Sequence, residues 1–249
     1  MKNTIIIGAI LLSLISFESN AQPNIYRSSG GEVIFSGADV RFNDVEVNTN
    51  MRFTLFFHTQ QLLNIDLSSK FGLYTGAAIR NVGLITEDLY QNVGFGDIDN
   101  THPNWNKNTK IKRRSYSLGF PLAFKLGTLN KNYFLYAGGE YEWMFHYKQK
   151  QFLDGNKTKF TEWGSKRVNT WVPSLFAGIQ FPGGINLKLK YYMQNFLNTG
   201  FKGFDFGQEV DYSQFQSSGI WYISVAVMLN KKQLQKMMET QKFDMSAYR

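Results

Sequence analysis

The sequence predicts an all-β protein, folded as an eight-stranded antiparallel up-and-down transmembrane β-barrel with a short C-terminal helical or disordered tail. Three observations predict this fold. Apolar and polar residues alternate over long stretches, the connections alternate between long and short, and aromatic residues stand near both ends of the apolar runs. A period of two is typical of strands whose two faces meet different surroundings.

The clearest alternation runs through residues 114–147, which predict a hairpin with its turn at 128–131. One face is apolar throughout. Its members are Tyr116, Leu118, Phe120, Leu122, Phe124, Leu126, Tyr133, Leu135, Ala137, Tyr141, Trp143, Phe145 and Tyr147. The opposite face carries Lys125, Glu140, Glu142 and His146. An apolar face backed by a charged one favours a wall between lipid and a polar interior.

Further strands are predicted over 32–40, where the alternation is irregular, and over 50–67, 71–86, 171–181, 185–193 and 221–229. With the two strands of the hairpin they make eight. Long polar loops are predicted at 88–109, 149–167 and 199–217, and short turns at 68–70, 128–131 and 182–184. Bacterial outer-membrane barrels have an even strand number, long external loops and short periplasmic turns. A soluble β-sandwich is the alternative, but it does not require alternating loop lengths.

Two rings of interfacial aromatic residues are predicted on the outside of the barrel. The outer ring comprises Tyr116, Trp143, Trp171 and Trp221, and the inner ring comprises Phe71, Phe124, Tyr133 and Phe181. The apolar spans 171–181 and 221–229 match the roughly 9–11 residues that a tilted strand needs to cross a bilayer.

The two ends of the chain differ from the barrel in composition. Residues 1–21 read as a cleaved secretory signal, with Lys2, an apolar core and small residues before the cleavage point. A retained membrane anchor is the alternative, which the short apolar core disfavours. Residues 22–30 are predicted as a periplasmic lead-in, 31–230 as the barrel and 231–249 as a basic periplasmic tail. The tail has apolar residues at rough helical spacing and is predicted either to dock on a partner or to be solvated.

The formal charge is +8, from 27 Lys and Arg against 19 Asp and Glu. For an exported chain this favours attraction to anionic lipid head groups over nucleic acid. The predicted partners are outer-membrane lipids including lipopolysaccharide, and other outer-membrane or periplasmic proteins, with no nucleic acid. The absence of cysteine excludes disulfides, cysteine-based metal sites and a lipoprotein anchor. No cofactor is predicted.

The interior of an eight-stranded barrel is filled by side chains, so charges inside it must find partners. The predicted lumen residues are His58, Asp66, Arg80, Arg113, Lys125, Glu140, Glu142, His146, Lys188 and Lys190. Trial registers at two turns predict the facing pairs Leu126–Tyr133, Arg113–His146, Glu142–Ser117, Leu67–Phe71, Arg80–His58 and Asp66–Gly72. We interpret the set as a salt-bridged packing network, with a narrow solute conduit as the alternative.

No catalytic or metal-binding residue is predicted. The best acid–base candidate is His146 with Glu142, but the two stand about 13 Å apart along one strand, and no nucleophile completes the set. The histidines lie on different predicted elements without ligand spacing. Asp97 and Asp99 in the first long loop lack the glycine and distal glutamate of a calcium loop.

Two segments resemble a known family. FGLYTGAAIRNVGLI at 71–85 and LGFPLAFKLG at 118–127 are similar to the outer-membrane β-barrel proteins of Bacteroidota, the broad PorT-like or OmpA-barrel-like group. The resemblance covers most of 53–229 in pattern and implies the fold and a bacterial outer-membrane location, with both termini periplasmic. One departure is that the last strand ends Met228-Leu229-Asn230 and a tail follows, where many such barrels end on a terminal aromatic residue.

The function predicted is a structural or interaction role, in which external loops or the tail contact other outer-membrane components or ligands. The sequence does not predict an enzyme. The alternatives are a narrow solute channel and an enzyme that modifies lipid A or phospholipid.

Overall fold

The computed structural model describes residues 23–55, 58–87 and 109–230. The predicted signal, the lead-in residue Gln22, most of the first long loop and the predicted tail lie outside the described residues. The strands are β1 Asn24–Phe42, β2 Val45–Glu46, β3 Arg52–Thr54, β4 Thr59–Asp66, β5 Phe71–Glu87, β6 Thr109–Thr128, β7 Tyr133–Leu153, β8 Asn156–Trp163, β9 Trp171–Gln180, β10 Ile185–Tyr192, β11 Lys202–Asp205, β12 Gln208–Asp211 and β13 Phe215–Asn230. Short 3₁₀ turns cover Leu129–Lys131, Pro182–Gly184 and Tyr212–Gln214. In the described part of the chain, no helix has the length and apolar content to cross a membrane.

Eight strand positions close into a ring. Around the ring the order is β1, β4, β5, β6, β7, β9, β10 and β13, and β13 pairs back with β1. Every one of these pairings is antiparallel. The short strand β3 continues the β4 position, since it pairs with β1 beyond the end of β4. The prediction of an eight-stranded antiparallel barrel is confirmed.

The barrel begins earlier in the chain than the sequence suggested. Strand β1 starts at Asn24, so the predicted lead-in over 22–30 is wrong for its described residues from Asn24 onward. These residues pair with β4 on one side, and from Ser28 with β13 on the other. Serines and glycines in this stretch hide the alternation, but hydrogen bonding to two neighbours holds the backbone extended.

Two predicted loops contain strands. Residues 149–167 include the end of β7 and nearly all of β8, and residues 199–217 include the hairpin β11–β12. Both hairpins close on two residues with positive φ: Asp154-Gly155 at 47° and 82°, and Phe206-Gly207 at 52° and 86°. Such pairs fit the two-residue turns whose twist matches paired strands. These connections are therefore ordered β structure.

Strands β6 and β7 have 20 and 21 residues, about twice the length that crosses a bilayer. Their far halves continue beyond the ring at the long-loop end, where β5 and β8 pair with them on either side. We call the part of β5–β8 beyond the row Tyr116–His146–Trp163 the platform. It is a sheet that rises out of the barrel.

The outer face of the ring is apolar and exposed. The large apolar side chains on it include Phe120, Leu122, Phe124, Leu126, Leu135, Leu175, Leu187, Leu189, Ile223 and Val225. Inside, one apolar cluster fills the long-loop end, around Phe42, Leu84 and Phe215, and a second lies at the short-turn end, around Tyr74 and Phe176. Polar side chains occupy the middle.

Candidate functional site

Six buried charges occupy the middle of the barrel. The cations are Arg80, Lys188 and Lys190, and the carboxylates are Glu32, Glu140 and Glu142. They project from β1, β5, β7 and β10, which are every second strand of the ring. We call this set the central ion cluster. Its formal charges sum to zero.

Arg80 and Lys188 tie the first strand of the barrel to the cluster. Arg80 forms ion pairs with both Glu32 and Glu140. The Nζ of Lys188 lies 2.8 Å from Oε2 of Glu32. The Oγ of Ser224, on β13, donates to the same carboxylate at 3.0 Å. Glu32 therefore has three partners, from three other strands.

Lys190 joins the two glutamates of β7. Its Nζ lies 2.7 Å from Oε2 of Glu140 and also pairs with Glu142. Glu142 accepts two more hydrogen bonds, from Ser117 Oγ at 2.6 Å and from Tyr192 OH at 2.8 Å. Buried charge is tolerated when it is paired and hydrogen-bonded in this way.

A second ion pair lies toward the short-turn end. Lys125 pairs with Asp66, and its Nζ donates to Asn64 Oδ1 at 3.1 Å. The ammonium lies 5.3 Å from the ring centroid of Tyr26 and 5.2 Å from that of Phe134, within the range of a cation–π contact. The structure thus places Lys125 and Asp66 in the lumen, as separate partners from the central ion cluster.

Arg113 lies at the other end of the lumen and is fully buried. Its Nη1 donates to Thr86 Oγ1 at 3.1 Å, and its guanidinium lies 5.6 Å from the ring centroid of Phe215. Its facing residue on β7 is Gln149, so the predicted pair with His146 is wrong.

The register of the β6–β7 hairpin differs from the prediction by two residues. Leu126 faces Leu135 and not Tyr133. The reason is a longer turn, in which a 3₁₀ turn is followed by Asn132 in the left-handed region, with φ 55°. Glu142 accordingly faces Gly119, although Ser117 still reaches it diagonally.

The β4–β5 hairpin has the register that the sequence suggested. Asp66 faces Gly72, and the backbone N–H of Leu67 donates to the carbonyl of Phe71 at 3.0 Å. The ladder ends with Thr59 facing Ile79, one position before the proposed Arg80–His58 pair. His58 itself is buried.

A β-bulge at Phe145 reverses the faces of β7. Tyr116 faces His146 while Ser117 faces Met144, so Phe145 has no facing residue. Beyond the bulge Tyr147 is fully buried, and its predicted lipid-facing position is wrong. One extra residue shifts a strand of period two by half a period, and every later side chain changes sides.

The same bulge removes His146 from the lumen, where the sequence placed it. Its ring contacts two aromatic rings of the outer face, Tyr116 at 5.7 Å and Trp163 at 4.7 Å between centroids. Glu142 is in the central ion cluster, on the other side of the barrel wall. The structure does not bring the candidate acid–base pair together.

Sequence reasoning missed Glu32. It lies in the strand whose alternation is least regular, so no face could be assigned to it. A signal was nevertheless present in the sequence. The predicted lumen residues included five cations but only three carboxylates, and unpaired buried charge is costly. That imbalance pointed to at least one further carboxylate.

Asp205, on the β11–β12 hairpin, is a second buried carboxylate that the sequence did not single out. It accepts from Arg167 Nε at 2.7 Å, Tyr212 OH at 2.7 Å and Gln149 Nε2 at 3.1 Å. The Arg167 guanidinium also lies 4.7 Å from the ring centroid of Phe160 on β8. These contacts hold the hairpin across the long-loop end of the barrel.

The predicted aromatic rings lie on the outer face. Near the long-loop end Trp143 and Trp171 stack at 6.3 Å between centroids, and Tyr116 stacks on Phe145. Near the short-turn end the contacts are Phe71–Phe124 at 6.2 Å and Tyr133–Phe181 at 6.1 Å. Trp221 is 37% exposed.

A closed ring of eight antiparallel strands, with an apolar outer face and an ion-paired interior, defines the class of this protein: it is a transmembrane β-barrel of the outer-membrane type. No protein-family model and no curated protein matches the chain.

The chain is similar to several solved structures, among them the following three bacterial proteins. The attachment invasion locus protein Ail of Yersinia pestis, in complex with the heparin analogue sucrose octasulfate, is 10% identical with a TM-score of 0.35, over 82% of this chain and 99% of that one. Neisserial surface protein A is 10% identical with a TM-score of 0.36, over 84% and 99%. OprG from Pseudomonas aeruginosa is 10% identical with a TM-score of 0.36, over 82% and 95%.

Proposed function

We propose that this chain is a structural or interaction protein of the bacterial outer membrane, which holds its platform outside the cell for contact with other envelope components. The observation that carries the proposal is the contrast between the two halves of the long strands. Where the strands form the ring, the lumen is filled by paired charges. Where they leave it, they form an ordered sheet whose inner face is buried, around Ile111 and Tyr147, and whose outer face carries polar and charged side chains.

The filled lumen argues against the channel alternative. The central ion cluster draws on every second strand of the ring, so its ion pairs cross the lumen instead of lining it. Above the cluster, the apolar residues around Phe42 and Phe215 close the long-loop end. A small solute would have to separate several buried ion pairs at once, which costs several kcal/mol by order of magnitude.

The size of the platform supports an interaction role. Beyond the aromatic row Tyr116–His146–Trp163, β6 and β7 continue over residues 109–115 and 147–153, which corresponds to a length of roughly 23 Å along the strands. The two-residue turn Asp154-Gly155 and the cross-strand pairing of β5 to β8 make this part of the sheet ordered. A preformed sheet loses little conformational entropy when it binds a partner.

The orientation follows the general rule for such barrels. Short turns and termini face the periplasm and long connections face outward. In this chain, Asn24 and Asn230 lie at the short-turn end, opposite the platform. We therefore place the chain termini in the periplasm and the platform outside. Outer-membrane lipids, including lipopolysaccharide, and other envelope proteins are the proposed partners.

Epitope labelling of intact cells tests the orientation. A short epitope inserted after Gly155, at the β7–β8 turn, is expected to be labelled on intact cells. The same epitope inserted after Gly183, at a short turn, is expected to be labelled only after the outer membrane is permeabilised. The reverse pattern would overturn the orientation.

Truncation tests the interaction role. Removing residues 150–159 and joining Gln149 to Phe160 through Asn-Gly shortens the platform but leaves the ring complete. Envelope components that cross-link to the native protein in mild detergent are expected to be lost, while heat-modifiable gel mobility is retained. An unchanged set of cross-linked components, or solute conductance by the native protein in planar bilayers, would contradict the proposal.

A further inference from the structure

The outer face of the platform carries rows of cations that cross three strands. Arg114 faces Lys148, and in the next row Lys112 faces Lys150, which faces Lys159. Lys157 follows in the row beyond, opposite Phe152. We call these six residues the cationic ladder: Lys112, Arg114, Lys148, Lys150, Lys157 and Lys159.

Like charges that face each other across strands destabilise a sheet. Within residues 23–55, 58–87 and 109–230, no acidic side chain is in an ion pair with any member of the ladder; the neighbouring Lys110 pairs with Glu87 at 2.6 Å. Burial first, and then the positive charge of Arg114, lowers the pKa of both Lys148 and Lys150. The ladder is thus an arrangement that the platform's own stability does not favour.

The cationic ladder lies at a defined distance from a row of aromatic residues on the outer face. Tyr116, His146 and Trp163 face one another in a row across the same three strands, and Trp163 is 73% exposed. Aromatic rows of this kind mark the level where acyl chains give way to head groups. With a rise of about 3.3 Å per residue, the Arg114 row lies roughly 7 Å and the Lys112 row roughly 13 Å beyond it. Lipid phosphates occupy this zone.

A groove beside the ladder is lined on one side by cations and on the other by residues 49–54, two of which are exposed apolar side chains. Its volume is about 800 Å³, and its cationic wall includes Lys112, Arg114 and Lys150. The other wall includes Met51 and Phe53, which are 62% and 59% exposed. An amphipathic ligand with a negatively charged head and an apolar chain fits both walls, whereas a free anion would use only one.

We propose that the cationic ladder and the adjoining groove form a binding site for a phosphorylated glycolipid of the outer leaflet, with the phosphates on the lysines and an acyl chain along Met51 and Phe53. The inference rests on the proposed orientation, because only an external platform meets the outer leaflet. Lipid phosphate would relieve the repulsion within the ladder, so that binding and folding of the platform are coupled.

Native mass spectrometry of the full chain in detergent tests the site, with bis-phosphorylated lipid A as the probe. The variant K112Q/K150Q/K159Q removes the central row. With about 1 kcal/mol for each basic residue near an anionic head group, its affinity is expected to fall about 100-fold. The matched control K70Q/K131Q/K166Q removes the same charge from exposed positions outside the ladder and is expected to bind as the native protein does.

A second measurement separates loss of a site from loss of folding. Because the central row is repulsive, K112Q/K150Q/K159Q is expected to unfold at a higher temperature than the native protein when lipid is absent. Weaker lipid binding together with greater stability is a combination that misfolding does not produce. Equal affinity for the ladder variant and the control variant would overturn the proposal.

Other probes identify the ligand class. Dephosphorylated lipid A is expected to bind weakly, and equal binding of both lipids would overturn the role of phosphate. Heparin or inorganic phosphate binding more tightly than lipid A would overturn the lipid as ligand. Lipid binding that appears only in D97N/D99N would show that the chain's own acidic segment 88–108 occupies the ladder, which also overturns the proposal. These measurements do not depend on orientation, which the epitope experiment tests separately.

Discussion

Arg80 holds together two walls of the barrel interior. Its guanidinium pairs with Glu32 on β1 and Glu140 on β7, and it is 1% exposed. A buried ion pair contributes little more to stability than well-packed apolar residues would, but removing one member leaves the others charged and short of partners. The cluster is therefore more sensitive to a single substitution than its net contribution suggests.

Arg80→Leu is expected to lower the free energy of unfolding by about 3 kcal/mol, because Glu32 and Glu140 are buried and each loses an ion pair. Urea titration of vesicle-inserted protein, followed by heat-modifiable gel mobility, measures this. Arg41→Leu is the matched control, since Arg41 is exposed on the same barrel and should change stability by no more than about 0.5 kcal/mol. Coinciding unfolding midpoints for the two variants would contradict the account of the cluster.

The Lys202–Asp211 pair on the β11–β12 hairpin has a testable pH dependence. Hydrogen bonds from Lys202 and Ser213 lower the pKa of Asp211 from 3.8 to about 2. A lowered folded-state pKa means that the contribution to hairpin stability is present above pH 4 and is lost as the pH falls toward 2. In Lys202→Gln the carboxyl should titrate closer to its ordinary value, as NMR of the Asp211 side chain would show. An unchanged titration would mean that Lys202 is not the cause.

For individual residues, the alternation of apolar and polar side chains predicted the correct face of the sheet where strands were regular. It placed Arg80, Lys125, Lys188 and Lys190 on the inner face, where the structure has them. It could not identify their partners, since ion pairing across the lumen joins residues that are 48 or more positions apart. Pairing of that kind depends on ring closure, which no local pattern encodes.

Strands β1 and β13 close the ring, and at Gly30 the neighbouring strand leaves no room for a side chain. A Cβ on Gly30 would lie 2.2 Å from the backbone oxygen of Val227 and 2.5 Å from Sδ of Met228. A backbone atom cannot move aside without breaking the ladder. This position therefore requires glycine for space and not for an unusual φ.

Gly30→Ala is expected to destabilise the barrel by about 1–3 kcal/mol, because the new methyl group forces β13 away from β1. Gly219→Ala is a matched control on β13, where a Cβ would meet nothing within 4 Å, and it should be neutral or slightly stabilising. Urea midpoints of the two variants in vesicles provide the comparison. Equal effects would show that the β1–β13 contact is not tightly packed.

Strands and turns were predictable from the sequence where the residues that end a strand or form a turn are adjacent in the chain. Asp154-Gly155 is a recognisable two-residue turn, and its hairpin could have been identified within the supposed loop. The bulge at Phe145 could not, because the sequence Trp143-Met144-Phe145-His146-Tyr147 is apolar or aromatic in both phases. Where the residues on both faces of a strand are of the same kind, the alternation cannot show which residues face the lumen and which face outward.

At the scale of the whole molecule, lipid and water impose the pattern from which the fold was predicted. Eight strands with one apolar face can satisfy their backbone groups in a bilayer only by closing on themselves. The number of strands, the alternating connections and the barrel itself followed from that requirement. The platform did not, because only its outer face is polar, while its inner face is buried against the β11–β12 hairpin and the apolar residues around Phe42 and Phe215, an arrangement that the bilayer does not impose.

The central ion cluster also sets the order in which the chain can be completed. Glu32 enters near the beginning of the described chain, whereas Lys188, Lys190 and Ser224 come from β10 and β13, the last two strands of the ring. A partial barrel that lacks β10 therefore holds three cluster carboxylates against the single cation Arg80, and the charges balance only when Lys188 and Lys190 arrive. The cluster acts as a checkpoint on assembly: insertion becomes favourable when the barrel is whole.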